Sequence, residues 1–284
     1  MAWSDIDDKP SLIRPLLAER GLSLKKRWGQ NFMISRRERE RIVSLVEIEP
    51  SDAVWEIGSG LGGITDLLVE QARALTVFEV DFGLARVIEE RFGARVAMVL
   101  GDAVQTVATE PPPQRIVGNL PYRSAAAIVS TLLERPAVLR SVARMVFTVQ
   151  KEMAHRMAAA PGTRAYSAFT VLCQLAGGVE RAGDISRASF YPAPDVTSSI
   201  VVMDPKEANI DLLPTAATIS RALFASRRKT VSNNADRLAD ELSLPKEAVL
   251  DALAAAGMAS GSRAEEHPPH RFLGAAAELE RAVP

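Results

Sequence analysis

Short apolar runs alternate with amphipathic segments through the first part of the chain. Five apolar runs are predicted to form or contain strands: 53–57, 74–80, 95–101, 115–120 and 141–150. Four segments that follow such runs have helical spacing: 64–72, 83–92, 125–134 and 151–160. Strict alternation of strand and helix is typical of a parallel sheet with helices on both faces. The pattern therefore predicts an α/β fold.

The pattern changes near residue 205. A polar stretch at 204–212 ends the strand-like runs. Four segments beyond it have helical periodicity: 215–229, 231–242, 244–257 and 272–283. We therefore predict two domains, an α/β domain over residues 1–204 and a small helical domain over residues 205–284.

The composition is that of a globular protein, and its charge is unevenly distributed. The chain has 284 residues, of which 47% are hydrophobic and 24% charged, and its formal net charge is −1. Lys and Arg are nonetheless concentrated in three runs, at 20–41, 135–164 and 212–235. Together these runs indicate a molecule with a basic side, although each run alone is more typical of an ordinary solvated face.

Several kinds of site are excluded by composition. The single cysteine, Cys173, cannot form an internal disulfide or a cysteine-clustered metal site. The three histidines, His155, His267 and His270, are too scattered for a zinc site. No early apolar run is long enough for a signal peptide or a membrane span. We therefore expect a cytoplasmic protein with no metal and no membrane partner.

A glycine-rich loop, GSGLGG at 58–63, lies between the first strand-like run and the first helical segment. Glycines in such a turn let the backbone bend tightly and approach a ligand without a Cβ in the way. The hexapeptide fits the G-x-G-x-x-G pattern of dinucleotide-binding proteins and also the G-x-G-x-G pattern of methyltransferases. On its own it could equally be a tight packing turn, so three interpretations stay open at this point.

Carboxylates end the next two strand-like runs. Glu79 could accept hydrogen bonds from both ribose hydroxyls of an adenosyl group. Asp102 could meet the exocyclic amine of that group's adenine. Either acid alone is also common as a cap or turn former. Glycines followed by two acids at successive strand ends favour an adenosyl cofactor, because a dehydrogenase has no need for the second acid.

The tetrapeptide Asn119-Leu120-Pro121-Tyr122 follows the fourth strand-like run, where an open α/β sheet places its chemistry. The N6 amine of adenine is a poor nucleophile, because its lone pair is delocalised into the ring. The Asn119 side-chain oxygen and the Leu120 carbonyl could hold its two hydrogens, which would aim the lone pair at a sulfonium methyl group. Pro121 would stiffen the loop, and Tyr122 would stack on the base. As a bare tetrapeptide, however, the same sequence is more typical of an ordinary turn.

These motifs occur in an order that is similar to that of one enzyme family. They are KKRWGQNFM (25–33), EIGSGLGGIT (56–65), FEVD (78–81), GDAV (101–104), GNLPY (118–122), VQKEMAHRMAAAPGTRAYS (149–167), FYPAPDVTSSIV (190–201) and ASRRKTVSNN (225–234). The chain thus resembles the KsgA family of small-subunit (16S) ribosomal RNA adenine N6,N6-dimethyltransferases over nearly its whole length. The resemblance implies a Rossmann-like class I methyltransferase sheet with a small C-terminal helical domain. It also implies S-adenosylmethionine as cofactor and N6,N6-dimethylation of adenines during ribosome biogenesis.

The resemblance further implies which residues form the site. Those expected to bind S-adenosylmethionine are Asn31, Met33, Gly58, Gly60, Glu79, Asp102, Ala103 and Asn119. Those expected at the reacting adenine are Asn119, Leu120, Pro121, Tyr122 and Phe190. Phe190 is expected to face Tyr122 across the base, although from the residues alone it is more typical of a core aromatic.

The basic runs are expected to face RNA. The residues concerned are Lys25, Lys26, Arg27, Lys151, Arg156, Arg227, Arg228 and Lys229. The expected partner is small-subunit ribosomal RNA in a 30S assembly intermediate, with most of the affinity coming from phosphate contacts. We expect the enzyme to be a monomer.

A few positions depart from the family pattern. Met33 stands where leucine is common and Ser59 where proline is common, and neither should affect the site. Phe82 replaces a frequent basic residue, and Arg123-Ser124 replaces the commoner Asn-Ile. We therefore expect differences at the rim of the pocket and none in the chemistry.

Three other functions compete with this one. Large-subunit ribosomal RNA methylases of the erythromycin-resistance type share the catalytic core, but the segments 150–167 and 227–230 favour the small-subunit enzyme. A nicotinamide dehydrogenase would explain the glycine loop but neither NLPY nor the basic runs. A non-catalytic ribosome-assembly or transcription factor on this fold would be expected to lack part of the glycine loop or NLPY, and both are present.

Overall fold

The computed structural model describes residues 9–23, 30–206 and 210–282. The chain forms two compact units: the first takes in Met1–Val129, Ser141–Ala154 and Glu180–Asp204, the second Ser130–Arg140, His155–Val179 and Pro205–Pro284. One boundary between the units falls between Asp204 and Pro205, and the second unit also includes two earlier segments. The division of the chain into domains 1–204 and 205–284 therefore stays a prediction.

Seven strands form the main sheet. They are β2 (Ala53–Ile57), β3 (Ala74–Glu79), β4 (Ala97–Leu100), β5 (Arg115–Asn119), β6 (Arg144–Gln150), β7 (Gly177–Ile185) and β9 (Ser198–Pro205). Their order across the sheet is β4-β3-β2-β5-β6-β9-β7, and the strands from β2 to β6 pair in parallel. A separate antiparallel ribbon joins β1 (Phe32–Met33) to β8 (Phe190–Tyr191).

The predicted α/β class is confirmed, and the sheet is mixed rather than wholly parallel. Strand β9 pairs antiparallel to β6, with Met203 opposite Met145. The connection from β7 to β9 contains a 3₁₀ turn (Arg187–Ser189) and β8, but not the helix that usually joins parallel strands. The alternating pattern did not reveal β7, because its sequence is rich in glycine and charge, or β9, because no α-helix precedes it after β7.

Helices follow the parallel strands, and several are capped directly at the strand ends. Up to β7 they are α1 (Pro10–Glu19), α2 (Arg36–Val46), α3 (Thr65–Leu68), α4 (Phe82–Phe92), α5 (Ala103–Thr106), α6 (Ala125–Leu133), α7 (Pro136–Ser141), α8 (Lys151–Met157) and α9 (Ala168–Ala176). The Asp81 carboxylate accepts from the Gly83 amide at 2.9 Å, and that of Asp102 from the Val104 amide at 3.0 Å. These caps fix the starts of α4 and α5 just after β3 and β4. Helices α3 and α8 are shorter than the predicted 64–72 and 151–160.

The core of the first unit is made by the parallel strands themselves. Val54, Val77, Val117 and Val146, one from each of β2, β3, β5 and β6, are completely buried. Trp55 in β2 packs edge-on against Phe78 in β3, with ring centroids 5.0 Å apart. Burial on both faces explains why these strands are continuous apolar runs in the sequence. The strand ends are thereby held rigidly, which matters for the site that they carry.

The C-terminal part of the second unit is helical. Its helices are α10 (Leu213–Phe224), α11 (Val231–Leu242), α12 (Lys246–Ala255) and α13 (Pro269–Ala282). Residues 210–282 contain no strand, so the predicted helical region is confirmed. Its apolar core includes Ile219, Leu223, Leu238, Leu253 and Phe272, all completely buried. Within the described ranges, no helix is long and apolar enough to cross a membrane.

Candidate active site

The backbone of the glycine loop lies so close to neighbouring residues that side chains at Gly58 and Gly60 would not fit. Gly58 and Gly60 have φ angles of +79° and +58°, a region that L side chains rarely adopt. A Cβ on Gly58 would lie 3.3 Å from the Asn119 carbonyl oxygen, and one on Gly60 would lie 2.9 Å from the Phe32 ring. Glycine is therefore required at both positions by conformation and by space.

Glu79 is buried at the end of β3 and is held by backbone amides. Its carboxylate accepts hydrogen bonds from the amides of Gly60 at 3.2 Å, Val80 at 2.9 Å and Asp81 at 3.0 Å. Burial raises the pKa of Glu79, and the amide hydrogen bonds lower it. The side chain is thus fixed beside the glycine loop.

Asp102 lies two residues after the end of β4 and has a structural role that its position also suggested, because its carboxylate caps α5. It also lines a cavity together with Gly101 and Ala103. Capping and contact with a ligand are compatible, since a carboxylate has two oxygens and several acceptor positions.

Two adjoining cavities collect the residues predicted to bind the cofactor. The first is lined by Asn31, Met33, Gly58, Gly60, Glu79 and Asn119, among others. The second is lined by Gly58, Glu79, Asp102 and Ala103, among others. Both cavities share Gly58, Glu79, Val80 and Pro121. The structure therefore brings all eight predicted residues to one groove, while their individual roles stay predictions.

Asn119 is oriented by a contact with the segment before β1. Its Nδ2 donates a hydrogen bond to the Asn31 carbonyl at 3.0 Å. Because the amide nitrogen is used in this way, the side-chain oxygen is the acceptor left for a ligand. The next residue is also fixed, because the Leu120 amide donates to the Thr148 carbonyl of β6 at 3.1 Å. The reactive segment is therefore anchored on both sides.

Pro121 and Tyr122 complete the first cavity. The Pro121 carbonyl accepts from the Ala125 amide at 2.9 Å, so the segment leads directly into α6. The Tyr122 hydroxyl forms a 2.6 Å hydrogen bond with the Ser198 hydroxyl. Partial burial raises the pKa of Tyr122, against the smaller opposite effect of that hydrogen bond. Tyr122 is thus held at both its backbone and its hydroxyl.

Phe190 has a different environment from Tyr122. It lies in β8 opposite Met33, is only 2% exposed and belongs to the hydrophobic cluster of the sheet. This is the packing of a core aromatic, which the residues alone favoured. The stacking role implied by the family resemblance stays a prediction.

The predicted RNA-binding residues differ in what they contact. Lys25, Lys26 and Arg27 lie outside the described residues. Lys151 pairs with Asp184 at 2.6 Å, and that contact, with a hydrogen bond from Ser199, lowers the pKa of Asp184 to about 2. The Lys151 ammonium group is therefore paired with a carboxylate in this conformation.

The predicted RNA-binding residues of the second unit also differ in their surroundings. The Arg156 guanidinium lies 5.1 Å from the centre of the Phe169 ring. Arg227 donates to Glu265 at 3.0 Å and to the Arg164 carbonyl at 2.7 Å. Arg228 and Lys229 are exposed. Arg228 and Lys229 are therefore the members of this run that are best placed for phosphate contacts, whereas Arg227 also holds its own unit together.

Sequence reasoning missed two charged residues that are buried near the glycine loop. Arg39 in α2 is 5% exposed and lines the first cavity. Glu56 in β2 is 1% exposed, accepts a hydrogen bond from the Thr65 hydroxyl at 2.6 Å, and has its pKa raised to about 7 by burial. The signal for each was a charge within an otherwise apolar pattern: Arg39 precedes Ile42, Val43 and Val46 at helical spacing.

S-adenosylmethionine fits this groove on the chemistry of its walls. Glu79 offers acceptors for ribose hydroxyls, and Asp102 offers acceptors for an adenine amine. Ile57, Phe78 and Ile128 supply apolar surface in the second cavity. Gly60 leaves the space that a Cβ would fill. No cluster of metal-ligating side chains occurs among residues 9–23, 30–206 and 210–282.

Along the chain, the glycine loop follows β2, the first strand of the parallel set. Hydrogen-bond acceptors lie at or just after the ends of the next three strands, β3, β4 and β5. This arrangement defines a class I methyltransferase fold and site. The sequence profile of the family described as ribosomal RNA adenine dimethylase matches residues 21–276. The chain therefore belongs to the ribosomal RNA adenine dimethylase family, in which S-adenosylmethionine is the methyl donor.

Named relatives agree with this assignment. The ribosomal RNA small subunit methyltransferase A of Treponema pallidum (strain Nichols) is 36% identical over 265 residues, which cover 90% of this chain and 91% of the relative. The protein of the same name from Aromatoleum aromaticum is 38% identical over 226 residues, covering 78% and 84%.

Solved structures share the fold. A dimethyladenosine transferase from Plasmodium falciparum superposes with a TM-score of 0.71 at 24% identity, covering 87% of this chain and 96% of that one. The 23S rRNA methyltransferase ErmE gives a TM-score of 0.61 at 25% identity, covering 88% and 100%.

Proposed function

We propose that this protein transfers methyl groups from S-adenosylmethionine to the N6 amine of adenines in small-subunit ribosomal RNA, two to each adenine. The observation that carries the proposal is the orientation of Asn119. Its Nδ2 is engaged by the Asn31 carbonyl, so its side-chain oxygen is left as an acceptor beside the cavity that Glu79 and the glycine loop also line. An amine acceptor and a cofactor groove thus occupy one end of the sheet.

Asn119 and Leu120 perform the central task, which is to make the amine reactive. In the first transfer the Asn119 side-chain oxygen and the Leu120 carbonyl each accept one hydrogen of N6, which aims the nitrogen lone pair at the methyl group. In the second transfer one of the two acceptors holds the remaining hydrogen. When bound, the cofactor would supply the methyl group as an electrophile, with S-adenosylhomocysteine leaving as a neutral thioether when the S–C bond breaks. The N6 proton becomes acidic as the C–N bond forms and leaves afterwards, so no residue needs to act as a base beforehand. Positioning and electrostatics therefore supply most of the catalysis.

The target base is held by aromatic stacking. Tyr122 provides the first face, and its hydroxyl contact with Ser198 holds the far end of the side chain in place. Phe190 is the expected second face, and its burial means that the ring has to move before a base can reach it. An adenine must leave its stack to enter such a site, which favours an unpaired or distorted part of the RNA.

The cofactor would lie along the two adjoining cavities. We assign the ribose hydroxyls to Glu79 and the adenine to Asp102 and Ala103, with Asn31 and Met33 covering the first cavity. Gly58 and Gly60 allow the backbone to approach the ligand closely.

Small-subunit RNA is the proposed substrate because of the relatives. The proteins named ribosomal RNA small subunit methyltransferase A are 36% and 38% identical to this chain, whereas the 23S rRNA methyltransferase ErmE is 25% identical. We further propose that the substrate is a 30S assembly intermediate and that the enzyme acts as a monomer in the cytoplasm. Exposed cations such as Arg228 and Lys229, and the run Lys25, Lys26 and Arg27, would contact phosphates.

The substrate is tested by methyl transfer into ribosomal particles. Unmethylated 30S and 50S particles are incubated separately with the enzyme and tritiated S-adenosylmethionine. We expect label in the 30S RNA. Label in the 50S RNA instead would favour the alternative, a large-subunit methylase of the erythromycin-resistance type. Failure of the enzyme to bind S-adenosylmethionine, with binding of NAD, would favour the dehydrogenase.

A further inference from the structure

Helix α2 buries a positive charge at a position of its apolar face. Arg39, Ile42, Val43 and Val46 are its buried residues, and their spacing of three and four places them on one side of the helix. Arg39 is only 5% exposed. A guanidinium at an apolar position is costly to bury unless it meets an acceptor or an anion. What the guanidinium contacts, and where it lies relative to the cavity, therefore decides its role.

The Arg39 side chain runs along the wall of the first cavity. Its Nη1 donates to the Met33 carbonyl at 3.0 Å. Its Cδ, Nε and Nη1 lie beside Gly63, where an added Cβ would be 2.9 Å, 3.3 Å and 3.4 Å from those atoms. Gly63 thus leaves the space through which the arginine passes. Met33 and Gly63 both line the first cavity, so the contacts of Arg39 with these two residues hold its side chain at the wall of that cavity.

The two cavities give the groove a direction. Arg39 and Gly63 line the first cavity and are not among the residues lining the second, whereas Asp102 and Ala103 line only the second. Glu79 lines both. The order of charged groups along the groove is therefore Arg39, then Glu79, then Asp102.

S-adenosylmethionine has the same linear order of groups. With its adenine at Asp102 and its ribose at Glu79, its amino-acid end extends towards Arg39. That end carries an α-carboxylate, which the planar fork of a guanidinium matches in charge and geometry. Of the described residues that line the first cavity, Arg39 is the one cation.

We propose that Arg39 binds the α-carboxylate of the methionine part of S-adenosylmethionine. This contact contributes to cofactor affinity and to discrimination against ligands that lack the carboxylate. The inference rests on the proposed function and deepens it. It assigns a binding role to a residue outside the glycine loop, the strand-end acids and the NLPY segment.

The test compares two ligands that differ in this carboxylate. Affinity for S-adenosylmethionine and for decarboxylated S-adenosylmethionine is measured by calorimetry for the wild type, Arg39→Leu and Arg39→Lys. The wild type should bind the decarboxylated ligand about 10- to 100-fold more weakly, the usual range for charge-assisted hydrogen bonds. Arg39→Leu should lower affinity for S-adenosylmethionine by a similar factor and leave affinity for the decarboxylated ligand unchanged. Arg39→Lys should lie between, because lysine keeps the charge but loses the fork.

A matched control and a stability measurement separate binding from packing. Arg37 lies on the same helix and is exposed, so Arg37→Leu should bind both ligands as the wild type does. Unfolding of the ligand-free proteins measures the contribution of Arg39 to the fold separately, because Arg39→Leu removes the donor to the Met33 carbonyl whether or not a ligand is bound.

Some results would overturn the inference. Equal losses of affinity for both ligands in Arg39→Leu, or equal affinity of the wild type for both, would show that Arg39 acts on the fold and not on the carboxylate. The comparison of ligands on the wild type needs no variant, so equal affinities would overturn the inference even if Arg39→Leu fails to fold, and Arg39→Lys then assigns any difference to this residue. A wild type that binds neither ligand would count against the proposed function itself, whatever the variants do.

Discussion

The sheet and the C-terminal helices are both built around apolar cores, but they differ in what else they bury. Buried acids of the described chain, Asp52, Glu56, Glu79 and Asp81, belong to the first unit, as does buried Arg39. In the second unit, the buried polar residues Thr170, Ser220, Asn234 and His267 have hydrogen-bond partners within that unit. Arg39, Glu56 and Glu79 are thus buried near the glycine loop, and Arg39 and Glu79 also line the first cavity. Buried polarity in the helical region instead serves the fold.

A pair of asparagines makes this difference testable. Asn119 lines the first cavity at the end of β5, and Asn234 in α11 donates to the Leu223 carbonyl at 2.9 Å. Both use the side-chain amide to bind a backbone carbonyl. The oxygen of Asn119 is the proposed acceptor for the substrate amine, whereas Asn234 lies in the helical core. The same substitution should therefore have different consequences in the two places.

The largest expected effect is that of Asn119→Ala. The variant loses an acceptor that acts on the amine in the transition state, and one such group typically contributes roughly 100- to 1,000-fold in rate. Methyl transfer should fall by about that factor, and affinity for S-adenosylmethionine should stay close to that of the wild type. Single-turnover kinetics and calorimetry measure the two quantities. Near-normal turnover would show that Asn119 does not have this role.

Buried charge in the sheet also predicts a particular dependence of stability on pH. Burial raises the pKa of Glu56 from 4.5 to about 7, so between these values the folded protein binds the proton more tightly than the unfolded chain. Stability from this group is fully present below pH 4.5 and is lost as the pH rises through about 7. At 1.36 kcal/mol for each pH unit, the loss is on the order of 3 kcal/mol.

Glu56→Gln tests this dependence, because glutamine keeps the shape of the side chain and does not titrate. Relative to the wild type, the variant should gain free energy of unfolding as the pH rises from 4.5 to 8, as measured by urea denaturation. A difference that does not change with pH, or that changes in the opposite direction, would mean that Glu56 is not held protonated by the fold.

Asn234→Ala should affect stability without affecting chemistry. Its removal leaves the buried Leu223 carbonyl without this donor, which typically costs about 1–3 kcal/mol. The folded variant should bind S-adenosylmethionine and transfer methyl groups at the wild-type rate. A large fall in the rate constant of fully folded protein would remove the contrast drawn between the two regions.

The smallest expected effect is a loss of affinity for 30S particles when the exposed cations Arg228 and Lys229 are replaced. Arg228→Glu with Lys229→Glu should weaken binding to 30S particles and flatten its salt dependence by roughly 0.7–0.9 units for each phosphate that is no longer neutralised. Affinity for S-adenosylmethionine should not change. Arg237→Glu, at an exposed position on α11 outside the basic run, is the matched control. An unchanged salt slope in the double variant would assign these cations to the solvated surface.

The sequence predicted the parallel part of the sheet and the helical C-terminal region well, because their patterns are locally determined. The run AVWEI forms β2 over the predicted residues, and RIVGN forms β5. Strand β7 was missed because its GGVERAGDI sequence is rich in glycine and charge, as an edge strand in the order of the sheet can be. The apolar run SSIVVM of β9 has a strand signal of its own, but it lies outside the region of strand–helix alternation.

The site was predicted as a set of residues and not as an arrangement. Glycines, acids and NLPY could be recognised because each follows a strand, and strand ends meet at one edge of a parallel sheet. Arg39 and Glu56 could not be assigned in this way, because only the fold shows that a charge at an apolar position is buried beside the glycine loop. The burial of Phe190 and the pairing of Lys151 with Asp184 likewise depend on contacts between distant segments.

The most direct test of the central claim is the identity of the product. Small-subunit RNA from unmethylated 30S particles is incubated with the enzyme and S-adenosylmethionine, digested to nucleosides and analysed by mass spectrometry against synthetic standards. We expect N6,N6-dimethyladenosine, with N6-methyladenosine as the intermediate at early times, and neither product with Asn119→Ala on the same time scale. Methylation of another base or of another adenine atom, or no modified nucleoside at all, would contradict the assignment of the NLPY segment to the N6 amine.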